Sequence, residues 1–79
     1  MTKTYVEVMC IHDRHGFVRP LSVIWENGVK YAVDRITQVT PAASLKSGGV
    51  GMRYTCRIQN QYRYLFLEEN NKWFIEKCR

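Results

Sequence analysis

GVGMRYTCRIQNQYRYLFLEE, residues 49–69, carries the clearest alternation in the chain. Val50, Met52, Tyr54, Cys56 and Ile58 fall on one side of an extended backbone, and Gly51, Arg53, Thr55, Arg57 and Gln59 fall on the other. A period of two marks a half-buried antiparallel strand, here with one apolar and one basic face. A second run, residues 62–67, is aromatic and apolar, and only Gln59, Asn60 and Gln61 separate it from the first. The two runs therefore form a hairpin. Its register has two solutions. A three-residue loop puts Tyr62, Tyr64 and Phe66 inside and sets Arg57 beside Arg63 outside. A two-residue loop at Gln59 and Asn60 buries Leu65 and Leu67 but turns Arg63 inward, opposite Cys56. Burying an unpaired guanidinium is costly, which favours the three-residue loop.

Working outward from this hairpin, the preceding segment predicts a strand over residues 29–40 in which Val29, Tyr31 and Val33 keep one phase and Ile36 the other. A slip of one residue flips every later side chain, so a β-bulge or sharp bend is expected near Asp34 and Arg35. Pro41 is expected to end that strand. PAASLKSGG, residues 41–49, then reads as a connector, too short for a stable helix. Upstream, residues 4–11 alternate Val6, Val8 and Cys10 with Tyr5, Glu7 and Met9, and suit a strand. Asp13-Arg14-His15-Gly16 suits a turn. A second strand is expected over residues 21–25, after Pro20. Asn27-Gly28 behind it reads as a type I′ turn that pairs Glu26 with Val29 and Ile24 with Tyr31. Downstream, Glu69-Asn70-Asn71 is a turn, and residues 72–78 form the last strand, with Trp73, Phe74 and Ile75.

Six short strands with frequent turns and no amphipathic helix predict a single all-β domain over residues 1–79. Its architecture is a small antiparallel barrel or strongly bent sheet, SH3-like or OB-like in size. A chain of 79 residues buries roughly two-thirds or less of its unfolded surface, so its core is thin. With 46% hydrophobic and 24% charged residues it is composed like an ordinary globular protein. Cys10, Cys56 and Cys78 are an odd number without close spacing, which argues for reduced thiols and a cytoplasmic setting. MTKTYVEVMC, at the N-terminus, lacks an apolar leader. No run approaches the roughly 18 apolar residues of a membrane span.

The charge of +5 is uneven. Residues 1–40 hold five Lys or Arg against four Asp or Glu, and residues 41–79 hold seven against three. A basic half suits a nucleic acid or an acidic protein partner, and equally a solvated surface. The best functional candidate is the outer face of the central hairpin. There Arg53, Arg57 and Arg63, with Lys72 nearby, can follow a phosphate backbone while an exposed aromatic stacks on a base. Trp25 and Lys30, across the Asn27-Gly28 turn, form a second aromatic and basic pair.

Other chemistry is weaker. Cys10, His12 and His15 lie close in sequence, but their spacing matches no standard zinc site, and a strand running into a polar turn explains them. Cys56 alternates with core residues and reads as a small buried hydrophobe rather than a nucleophile. The glycine-rich residues 44–51 contain a lysine but lack the order of a phosphate-binding loop. No catalytic residues, no metal site and no cofactor are assigned. A non-enzymatic binding module is expected, with nucleic acid as the leading partner. The rival is a protein-interaction or self-associating module that uses a strand edge or an apolar patch around Trp25.

WENGVKYAVDRI, then GVGMRYTCRI, YLFLEE and a closing KWFIEK, resemble the pattern of small all-β proteins of unknown function from Gram-positive bacteria, clostridial ones in particular. The same residues are loosely similar to a domain of unknown function found with genes for translesion DNA polymerases. In that domain a strand ending in Trp leads through a Gly turn into a Tyr-x-Val strand. The resemblance spans roughly residues 18–77. It implies a small β fold, leans toward nucleic acid and names no site residue.

Overall fold

A computed structural model describes residues 3–43 and 50–78. Within them lie seven strands, all antiparallel, and no helix. The strands are β1 (Thr4–His12), β2 (Val18–Ile24), β3 (Lys30–Ala32), β4 (Arg35–Ala43), β5 (Val50–Ile58), β6 (Gln61–Leu67) and β7 (Trp73–Lys77). They form one sheet in the order β3-β2-β1-β7-β6-β5-β4. Its two edges, β3 and β4, are consecutive in the chain, joined by Val33 and Asp34 alone. Two residues reach only about 7 Å, so the sheet must roll until its edges meet. The join shows it directly: the Val33 N–H donates to the Leu21 carbonyl of β2 (2.8 Å), and the Asp34 N–H donates to the Arg57 carbonyl of β5 (2.9 Å). The phase slip expected at Asp34 is therefore a corner of a curled, barrel-like sheet. It divides the expected third strand in two.

The inner face is the core. Tyr54, Cys56 and Ile58 of β5, Leu65 of β6, Trp73 of β7 and Val23 of β2 are buried together. Val6, Val8 and Cys10 of β1 and Tyr31 and Val33 beyond β2 pack around them. Apolar burial of this kind stabilises by roughly 1.5–3 kcal/mol per large side chain. The Tyr54 hydroxyl donates to the Val18 carbonyl, tying β5 to β2 across the interior and closing that end of the roll.

Among the described residues, three of the four hairpin loops share one design. Asp13 to Phe17, Trp25 to Val29 and Glu68 to Lys72 each span three loop residues. In each, the N–H of the third loop residue donates to the carbonyl three residues back. That third residue has positive φ: Gly16 at 86°, Gly28 at 84° and Asn71 at 66°. An Asx side chain completes each loop. Asp13 accepts from the His15 and Phe17 N–H groups, Asn27 from Val29, and Asn70 from Lys72. This is a type I turn with a bulge, not the type I′ turn expected for Asn27-Gly28. Asn27 spends its side chain on the backbone instead of taking positive φ. The pairing moves by one residue, to Val23 with Tyr31 and Ile24 with Lys30.

The fourth loop corrects the preferred register of the central hairpin. Ile58 pairs with Gln61, so the loop has two residues, Gln59 at φ 54° and Asn60 at φ 61°. Two left-handed residues make a type I′ turn, whose twist matches the strands. Leu65 is fully buried, and Tyr62, Tyr64 and Phe66 face outward. The objection to this register was Arg63 opposite Cys56. It fails because Arg63 lies toward the open end of the roll, half-buried, with its guanidinium donating to the Tyr62 carbonyl at 2.8 Å and to the Gln61 side chain.

Both prolines lie inside strands. Pro20 sits in β2 opposite Cys10, next to a bulge that displaces Leu21. Pro41 pairs with Met52 in β4, an edge strand where its missing N–H costs no ladder bond. The connector at residues 44–49 lies outside the described residues.

Candidate functional site

Turning the tyrosines outward gives the outer face a composition that the three-residue loop would have hidden. Cross-strand partners define it row by row. Tyr5, Phe74, Phe66, Arg53 and Thr40 lie side by side on β1, β7, β6, β5 and β4. Glu76, Tyr64, Thr55 and Gln38 form the next row, and Tyr62, Arg57 and Arg35 the third. Five aromatic rings and three arginines thus share one sheet face.

The first row is built as a rib. Phe66 and Phe74 stack face to face at 4.5 Å, with Tyr5 edge-on to Phe74 at 6.1 Å and Tyr64 edge-on to Phe66 at 6.2 Å. Cations lie over the ring faces: Arg53 at 4.6 Å over Tyr64, Lys3 at 4.8 Å over Phe74 and Lys72 at 5.7 Å over Tyr5. Glu68 fastens one end. It accepts from Lys3 at 2.5 Å and from the Tyr5 hydroxyl at 2.9 Å. These bonds hold the Lys3 ammonium and the Tyr5 phenol above their ordinary pKa values, the hydrogen bond to Glu68 being the main cause for each.

The third row is different. Arg35 and Arg57 are direct cross-strand partners, and like charges so placed repel. Among the described residues neither has a carboxylate partner. Tyr62, on the other side of Arg57, is 45% exposed. The buried side-chain polar atoms without a hydrogen-bond partner, among the described residues, are Arg53 Nε, Thr55 Oγ1 and Arg57 Nε. All three belong to successive outward positions of β5. Buried polar atoms are usually paired, so this concentration on one strand sets the β5 outer face apart from the rest of the sheet.

The residues singled out from sequence are divided by the structure. Arg53 and Arg57 lie on the outer face, and Lys72 borders it over Tyr5. Arg63 does not join them: it lines the inner face, opposite Lys77 and Cys56. Trp25 and Lys30 are not a pair. Trp25 is half-buried on the inner side, while Lys30 partners Ile24 and points outward from β3. Arg63 and Trp25 instead meet at a cleft of about 240 Å³ at the open end of the roll, with Tyr31, Ile58 and Ile75 in its wall. Arg35, Tyr62, Tyr64, Phe66 and Phe74 were missed. A type I′ reading of Gln59-Asn60 would have found Tyr62, Tyr64 and Phe66.

Cys10 packs against the core, and His12 and His15 are exposed. Among the described residues no cluster of three His, Cys, Asp or Glu side chains could hold a metal ion. Burial pushes the Cys56 thiol up to about 12, leaving it un-ionised at neutral pH and without nucleophilic character. Among the described residues no helix is long and apolar enough to cross a membrane. Comparison with protein-family models, curated proteins and solved structures finds no match.

Proposed function

We propose that this domain is a non-enzymatic binding module that holds nucleic acid, in single-stranded form, on the outer face of β4, β5 and β6. The observation that carries this role is the Arg35 and Arg57 pair, set opposite each other without a carboxylate, beside the exposed ring of Tyr62 and four residues along β5 from Arg53. A phosphate between two facing arginines relieves their repulsion and offers charged acceptors to both guanidinium groups. A tyrosine at the next position can stack on a base, which must be unpaired to offer its face. The resemblance to the domain that accompanies translesion polymerase genes points the same way. Three free thiols suit a reducing compartment such as the cytoplasm.

The test is fluorescence anisotropy with labelled single-stranded DNA, RNA and duplex DNA at about 50 and about 200 mM salt, where phosphate contacts show as salt dependence. Replacing Arg35, Arg53 and Arg57 together by Glu should flatten the log-log salt slope by about two units on a single strand. The equivalent change at Arg63 should leave that slope in place. Absence of wild-type binding at the lower salt overturns the proposal.

A second role is favoured by a separate observation. Phe17 is 71% exposed, and Met9 and Ile11 of β1 and Leu21 of β2 are exposed as well. An apolar surface of this kind suits a protein partner or self-association. Trp25 is half-buried, so this role rests on the exposed Phe17. Concentration-dependent sedimentation abolished by Phe17→Ser would select that role.

A further inference from the structure

The inner cleft belongs to none of the surfaces used above. We propose that it binds a small ligand consisting of a planar aromatic ring that carries an anionic group. The ring would lie among Trp25, Tyr31 and Ile58, and the anion on Arg63.

The walls and the volume argue for the ring. Two aromatic and three aliphatic side chains face a space of about 240 Å³, below the range typical of drug-sized sites and suited to a single or fused ring. Aromatic walls prefer an aromatic guest, in offset or edge-on packing.

Arg63 argues for the anion. Of the five N–H donors on a guanidinium, one goes to the Tyr62 carbonyl and one to the Gln61 side chain. Both acceptors are neutral, so the positive charge is not compensated. No Asp or Glu lines the cleft, and Lys77, the cross-strand partner of Arg63, adds a second positive charge on the same face. The two hydrogen bonds also hold the guanidinium at the rim before a ligand arrives, which lowers the cost of ordering it on binding. A planar fork held in place suits a carboxylate or phosphate.

Nucleoside monophosphates and aryl carboxylates share this chemistry, and the experiment separates them. The full-length chain, labelled with ¹⁵N, is titrated with adenosine monophosphate and with indole-3-acetate. Adenosine, indole and inorganic phosphate serve as controls. Either anionic probe should shift the Trp25 indole and the Tyr31 and Gln61 amides, and the one that does identifies the source. Arg63→Gln should weaken that binding by about tenfold or more, the value of a charge-assisted hydrogen bond. Arg63→Lys, which keeps charge without the fork, should fall between. A chemical-shift spectrum otherwise like the wild type shows that each variant is folded. Arg57→Gln should change nothing, so a failure here and a failure of the outer-face proposal are read separately. Three results overturn the proposal: no shift with either probe at about 1 mM, a concentration that detects affinities near −4 kcal/mol; neutral rings binding as well as anionic ones; or binding indifferent to Arg63→Gln.

Discussion

The two faces of the hairpin formed by β5 and β6 are made by the same eighteen-odd residues and obey different rules. On the inner side, Tyr54, Cys56, Ile58 and Leu65 exclude water and each other's freedom, and every position is set by volume. On the outer side, Arg53, Thr55, Arg57, Tyr64 and Phe66 touch through ring faces and cations, and three polar atoms there lack partners. Apart from its rim at Arg63, the inner face is finished by folding. The other keeps capacity for a further interaction, and a small domain keeps such capacity only where stability does not depend on closing it.

Neighbouring residues on β6 offer the largest test of that contrast. Leu65 is 0% exposed, inside, and Phe66 is stacked on Phe74, outside. Leu65→Ala should destabilise by about 2–5 kcal/mol, enough to unfold much of a domain whose total stability is roughly 4–12 kcal/mol at typical per-residue values. Phe66→Ala should cost only about 1–2 kcal/mol, the loss of a ring pair and part of its burial. Urea denaturation measures both. Equal losses would mean that the outer aromatics are a second core and not a surface for binding.

The outer face should nevertheless prove intolerant at one place. A Cβ on Gly51 would stand 2.4 Å from the Leu67 carbonyl oxygen, a contact that only movement of the β6 backbone can relieve. Gly51→Ala should therefore cost roughly 1–3 kcal/mol, like overpacking in a core. It should also disturb the Arg53 and Phe66 row, which starts two residues away. Unchanged stability would show that β5 and β6 can separate freely at this point.

A smaller effect distinguishes the faces by pH. Burial lifts the Cys56 thiol from its ordinary value of 9.0 to about 12 in the folded chain. The unfolded chain releases its proton first, so the contribution of this residue is complete below pH 9 and is lost as pH rises toward 12. At pH 10 the loss should be on the order of 1 kcal/mol. Lys3 and Tyr5, also raised, act in the same direction. Cys56→Ala isolates the thiol: the variant should lose less stability than the wild type between pH 8 and pH 10. Parallel curves would place the alkaline sensitivity on the outer face.

Why one face was legible in the sequence and the other was not comes down to how each is encoded. In β5 the apolar and polar residues alternate strictly, so Tyr54, Cys56 and Ile58 can only be inside. In β6 both phases are apolar, Tyr62, Tyr64 and Phe66 against Leu65 and Leu67, and alternation is mute. The choice falls to the turn, where Gln59 adopts positive φ, a conformation its residue type does not advertise. Charge reasoning then misled, because Arg63 sits far enough along the strand to reach the rim. The slip at Asp34 was visible as a change of phase. That it carries the chain from one edge of the sheet to the other was not, since strand partners leave no mark on either strand alone. Arg35 shared that fate, for its importance comes entirely from lying opposite Arg57.

Gln59 therefore holds the contrast in place, and the smallest expected effect tests it most finely. A type I′ turn needs positive φ at both central residues, and Asn60 meets that need while Gln59, at 54°, does not favour it. The register must be supported by burial of Leu65 and Leu67 working against the local preference of the turn. Gln59→Asn removes the conflict, since Asn visits the left-handed region readily, and should raise stability by about 0.5–1 kcal/mol. The outer face should be left as it is, with Arg53 over Tyr64 and Arg35 opposite Arg57. A rise in the urea midpoint without change in the chemical shifts of those residues would show that turn and core now ask for the same pairing. A fall would mean that the Gln59 side chain, at the rim of the inner cleft, contributes more there than its backbone strain takes away.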